Sequence, residues 1–138
     1  MATHFIPTRI VVTIHSDLLQ RYGGRPGLRD AGLLDSALAQ PKMTVGRKFV
    51  HRTVFDKAAA YGFHVCRNHP FVDGNKRVAF VLMDILLQKN GWEIVATEEA
   101  AYSMMISLAA GKLSKAQLSK WLKEHSAKPT RRPTRSSS

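Results

Sequence analysis

The sequence predicts an all-α fold, a compact six-helix bundle with one short flap loop or hairpin. Apolar residues recur at helical spacing through most of residues 1–126. The runs are separated by Gly, Pro and Asn turn signals and opened by Ser, Thr or Asp caps. The connections are short, which favours antiparallel packing of neighbouring helices.

Residues 8–21 place Ile10, Ile14 and Leu18 four apart, as a helix requires, although the β-branched run Ile10–Ile14 also permits a strand start. The stretch Tyr22-Gly23-Gly24-Arg25-Pro26-Gly27 stops the element and turns the chain. Asp30 is placed to cap a helix ending near Gln40, with Leu33, Leu34, Ala37 and Leu38 apolar and Pro41 closing it. Residues 41–52 are basic (Lys42, Arg47, Lys48, Arg52) and read as a loop or short hairpin around Gly46. Residues 53–67 are alanine-rich and apolar nearly all round, the pattern of a helix buried at a bundle centre.

A loop, HPFVDG, separates that helix from the next, Asn75 to Lys89, which Asn90-Gly91 terminates with a left-handed cap. Trp92–Ala96 is extended. Thr97 caps a fifth helix, with Glu98 and Glu99 complementing its dipole. Ser114 and Gln117 form a capping box for a last helix to about His125. Trp92 and Trp121 read as core or interface anchors. Residues 127–138, AKPTRRPTRSSS, lack apolar periodicity and read as a disordered basic tail behind a single domain spanning 1–126.

A chain of 138 residues, 44% hydrophobic and 22% charged, suits one core. The single cysteine, Cys66, excludes an intramolecular disulfide and a cysteine-rich zinc site. No leader pattern or membrane-length apolar run is seen, so a cytoplasmic protein without membrane attachment is expected. Net charge is +11, of which residues 1–126 carry +7. That balance favours a phosphate-bearing or acidic partner but is weak by itself.

Residues 67–77, RNHPFVDGNKR, crowd polar groups into a loop and a helix start beside apolar helices. A helix N-terminus offers unpaired N–H groups and a favourable dipole to an anion. Gly74 allows close backbone approach, Asn75 adds an amide, and Lys76 and Arg77 supply positive charge. Asp73 is a carboxylate placed to hold Mg²⁺ with a nucleotide, since that cation needs few protein ligands. Attack by a protein hydroxyl needs a base that works near neutrality, and His69 suits the role. Phe71 is expected to turn inward and pin the loop, and Pro70 to stiffen it. Taken singly, each residue also has a structural reading, as a packed turn, a cap or a solvated first turn. Two adjacent cations at a helix N-terminus oppose its dipole, however, and an anion seated there accounts for them.

HPFVDGNKR resembles the signature of the Fic superfamily: His, any residue, Phe, any residue, Asp or Glu, Gly or Ala, Asn, Gly or Lys, Arg. The match is nearest to its death-on-curing (Doc) toxins. RYGGRPGLRDAGLLDSAL (Arg21–Leu38), NGW (Asn90–Trp92) and GKLSKAQLSKWL (Gly111–Leu122) are similar to further segments of that family. The resemblance implies a Fic/Doc-like helical core in which His69 is the general base and Asp73 holds Mg²⁺. Gly74, Asn75, Lys76 and Arg77 would bind ATP phosphates, and Arg67 would support them. It places a target-docking flap at 41–52.

Position 76 is Lys where AMP-transferring members carry Gly, and position 80 is Phe80 where their second arginine stands. Doc-like members share both departures. The resemblance therefore implies γ-phosphate transfer from ATP to a Ser or Thr hydroxyl of elongation factor Tu and arrest of translation. It also implies a Phd-like antitoxin with an acidic C-terminal segment, DNA being met only through that antitoxin. An AMP-transferase with the same site remains an alternative. A non-catalytic basic RNA- or ribosome-binding toxin is another, disfavoured because the basic residues outside the motif and tail are scattered. His15 and Asp17 could approach the site from the first helix, although a surface or capping role is the favoured expectation; His64 is expected in the core or just behind the site, and Cys66 as a small core filler.

Overall fold

The computed structural model describes residues 3–129. It contains six α-helices among the described residues: α1 Thr8–Tyr22, α2 Ala31–Ala39, α3 Val54–Asn68, α4 Asn75–Lys89, α5 Glu98–Ala109 and α6 Lys115–Glu124. The all-α expectation holds. Two short antiparallel pairs accompany the helices. The hairpin strands β1 (Thr44–Val45) and β2 (Lys48–Phe49) pair Thr44 with Phe49, and β3 (Glu93–Ile94) pairs with β4 (Ser126–Ala127).

Helix boundaries follow local chemistry. Asp30 caps α2 by accepting from the N–H of Leu33. Thr53 and Asp56 form a capping box at α3, Thr97 caps α5, and Ser114 with Gln117 boxes α6. Each such cap contributes about 1 kcal/mol. α2 ends at Ala39, just before Pro41 as expected, and a 3₁₀ turn, Gln40–Lys42, follows it and buries that proline. Residues 8–21 resolve as helix, with Val11 and His15 buried one turn apart.

α3 is the central helix, as its composition predicts. Ala58, Ala59 and Ala60 are fully buried, and their small side chains let α2, α4 and α6 approach closely. The loop 69–74 turns the chain so that α4 packs along α3 through Val78, Ala79, Leu82, Met83 and Leu86. Tyr61 ties the N-terminal segment to this core: its hydroxyl accepts from the N–H of Ile6 at 3.2 Å. Lys57 anchors the flap hairpin, with Nζ donating to the Arg52 carbonyl at 2.9 Å and lying 4.3 Å from the centre of the Phe49 ring.

The expected tail needs one correction. Ala127 pairs with Glu93, and the ammonium of Lys128 lies 5.4 Å from the Trp92 ring centre, so residues 127 and 128 pack against the fold. Residues 130–138 lie outside the described residues. No described helix is long and apolar enough to cross a membrane.

Between α3 and the start of α6, His64 Nε2 sits 3.1 Å from Lys115 Nζ, so the neutral ring accepts from the ammonium. Burial, then Lys115, His51 and Arg67, push the His64 pKa down to about 4 from an ordinary 6.5. His51 is displaced the same way, first by burial and then by Lys115. Between these pH values the unfolded chain takes up protons that the folded chain refuses, so stability falls as pH falls. We expect the melting temperature to drop as pH is lowered from about 6.5 towards 4, and His64→Gln to flatten that slope, as thermal scans across pH will show.

Candidate active site

Four of the six helices begin under a side-chain cap; α1, which starts after Pro7, and α4 do not. The N-cap of α4 is Gly74, held at φ 82°, and the backbone N–H groups of Asn75, Lys76 and Arg77 find no acceptor among the described residues. These donors open onto a cavity of about 920 Å³ lined by His69, Asp73, Gly74, Lys76 and Arg77 at one end. The rest of the lining is mostly apolar, with Phe80 and Val81 of α4 and Ala101, Tyr102, Met105 and Ile106 of α5, and it includes the carboxylate Glu98 at the start of α5. An uncapped helix start at the polar end of a mixed cavity is suited to a phosphate.

The loop 69–74 is held from two sides. Phe71 is 1% exposed and stacks on the buried ring of His15, with centroids 3.8 Å apart. His15 Nε2 lies 2.8 Å from the Asp73 carbonyl, so α1 fixes the loop from below. The Leu28–Phe71 bridge and the bonds from the N–H groups of Arg29 and Asp30 to the Pro70 carbonyl fix it from the side. His15 is therefore no surface residue. It builds the site, and the signal was its place one turn after Val11 on the inward face.

Asp73 is exposed and pointed by backbone alone. Its Oδ2 accepts from the Arg25 N–H at 3.1 Å and its Oδ1 from the Gly74 N–H at 2.9 Å. These two bonds, Arg25 first, hold its carboxyl below the usual range, and the charges of Arg25 and Arg77 add to them. Gly24 permits this approach: at φ 122° it passes so close that an added Cβ would stand 3.0 Å from Asp73 Oδ2. Each carboxylate oxygen accepts one bond and keeps a lone pair free.

An ionised, exposed carboxylate beside a phosphate-ready helix start fits Mg²⁺ arriving with a nucleotide. The described residues contain no group of three or more His, Cys, Asp or Glu side chains that would cage a metal by themselves.

His69 occupies the end of α3 in the left-handed region, φ 49° and ψ 55°, which is uncommon for a non-glycine residue. Its side chain is exposed and lines the cavity. Lys76 and Arg77 are exposed on the first turn of α4, with the Arg77 guanidinium 4.6 Å from the Tyr22 ring centre. Cys66 also lines the cavity, its thiol pushed up to about 11 by burial and only partly countered by Lys76.

Two sequence expectations need correction. The Asn75 side chain is no free amide for a ligand. It is buried, with Oδ1 accepting from the Phe71 N–H at 3.0 Å and Nδ2 donating to the Phe71 carbonyl at 2.9 Å. Asn75 still lines the cavity, and its backbone N–H finds no acceptor among the described residues. Arg67 is exposed on the last turn of α3 with its guanidinium 5.8 Å from the Phe63 ring centre, and it does not line the cavity. Sequence reasoning also passed over Arg25 and Arg29, whose parts depend on contacts across about 40 to 50 residues of chain that no local pattern announces.

This fold and loop belong to a defined class. Residues 5–87 match the Fic/DOC family model, and the chain belongs to the Fic/DOC family. It is 43% identical to "Toxin Doc" of Mycolicibacterium smegmatis over 75 residues, 54% of this chain and 58% of that protein. It is 28% identical to "Protein kinase doc" of Escherichia phage P1 over 111 residues, 80% of this chain and 86% of the phage protein. The chain thus spans little more than half the length of the mycobacterial relative.

Proposed function

We propose that this chain is a Doc-like toxin that transfers the γ-phosphate of ATP to a Ser or Thr hydroxyl of a translation factor, elongation factor Tu by resemblance, and so arrests translation. The observation that carries the proposal is the uncapped start of α4, with its free N–H groups, Asp73, Lys76 and Arg77 on one side of a cavity and His69 on the same rim. The names of the two relatives, a toxin and a protein kinase, support it.

Phosphoryl transfer is mostly positioning and charge stabilisation. In this site the N–H groups of residues 75–77 and the Arg77 fork bind the phosphates, and Lys76 adds a point charge over them. Asp73 would hold Mg²⁺, which when bound neutralises charge on the phosphate oxygens. His69 takes the proton of the attacking hydroxyl. The bond from that oxygen to the γ-phosphorus forms as the bond to the β-bridging oxygen breaks, leaving ADP. The mostly apolar part of the lining, with Phe80, Met105 and Ile106, suits the nucleobase. Lys76 in place of Gly, and Phe80 in place of a second arginine, favour γ-phosphate transfer over AMP transfer. A basic chain suits an acidic antitoxin segment as restraint.

Incubation of the protein with cell extract and labelled ATP separates the readings. We expect γ-label and no α-label on a protein of the extract. Transfer of α-label instead would make the chain an AMP-transferase, and growth arrest with neither label would make it a binding toxin.

A further inference from the structure

We infer that Arg29, in the loop before α2, is the positioning residue that sets the conformation of His69. The inference rests on the reading of His69 as the general base. Arg29 does not line the cavity. Its guanidinium instead grips the end of α3, with Nε donating to the His69 carbonyl at 2.7 Å and Nη2 to the Asn68 carbonyl at 2.8 Å. Its own N–H donates to the next carbonyl, that of Pro70, at 2.7 Å. One residue therefore holds three consecutive carbonyls, 68, 69 and 70.

Those carbonyls flank the left-handed residue of the loop. His69 sits at φ 49°, a conformation that disfavours a side-chain-bearing residue because its Cβ crowds the following carbonyl. Helices that end this way normally place Gly at that position. Leaving the left-handed region requires the adjoining peptide planes to rotate, and rotation would carry the carbonyls of 68 and 69 off the guanidinium. The planar fork holds both at once. A lysine ammonium is a single point on a flexible stem and cannot span the pair in the same way. The left-handed turn decides where the His69 Cα–Cβ bond points, so Arg29 sets the imidazole's aim into the cavity from outside it. The Asn68 side chain reinforces the frame, with Nδ2 donating to the Leu33 carbonyl at 2.9 Å in α2.

The test compares wild type, Arg29→Ala, Arg29→Lys and His69→Ala by steady-state transfer kinetics and by NMR of the His69 amide and ring. For Arg29→Ala we expect kcat to fall about a hundredfold with KM for ATP nearly unchanged, the cost typical of a misplaced catalytic group. The His69 resonances should move, and Arg29→Lys should recover only part of the rate. Unchanged kcat and unmoved His69 resonances in either variant would overturn the inference. Arg29→Lys gives that reading should the alanine variant not fold. Full activity in His69→Ala would instead sink the base assignment on which the inference rests, whatever Arg29 does.

Discussion

Replacing His69 by alanine is expected to lower the rate of phosphate transfer by about 10²- to 10⁴-fold, the usual contribution of a positioned general base. The fold should survive. The ring is exposed and takes part in none of the hydrogen bonds found among the described residues; the loop is held through the His69 carbonyl and the frame of Arg29, His15 and Phe71. Circular dichroism should match wild type, and Mg·ATP should still bind, since the N–H groups of residues 75–77 and Asp73 are untouched. Initial rates on the purified target protein measure the loss. A rate within a few-fold of wild type would mean that the substrate hydroxyl needs no base here, or finds another.

Replacing Asn75 by alanine is expected to strike stability first. The substitution strands the N–H and carbonyl of Phe71 in a buried site, and each unpaired group costs about 1–3 kcal/mol. The melting temperature should fall by roughly 10 °C, and activity should fall with it because Phe71 carries the loop. Asn75→Asp is the informative companion. A carboxylate can still accept from the Phe71 N–H but cannot donate to its carbonyl, so it should rescue little. A melting temperature within about 2 °C of wild type for Asn75→Ala would show that water replaces the clasp at small cost.

The six helices were legible because their ends are written locally. Asp30, Thr97 and Ser114 cap the N–H groups the sequence assigns them, and Asn90-Gly91 stops α4 with Gly91 at φ 89°. The candidate segment was legible for a similar reason: His69, Asp73, Gly74, Lys76 and Arg77, which line one cavity, are neighbours in the chain. Less was visible of what holds them. His15 reaches Asp73 across 58 residues and Arg29 reaches His69 across 40, and neither contact leaves a local pattern. Asn75 misled because a polar residue at a helix start normally faces solvent or ligand, whereas here the loop needed its amide as an internal clasp. The β3–β4 pair leaves no pattern in the sequence because two-residue strands are too short to show alternation, and so the expected tail starts at Ala127, a residue that pairs with Glu93.

The measurement closest to the centre of the account is calorimetric titration of ATP into the wild-type protein and into Asp73→Asn, each with magnesium and with a chelator. Binding by wild type should be strong with Mg²⁺ and weak without it, whereas Asp73→Asn should bind weakly under both conditions. Equal binding by both proteins, indifferent to magnesium, would show that this helix start holds no metal-bound nucleotide and would contradict the account.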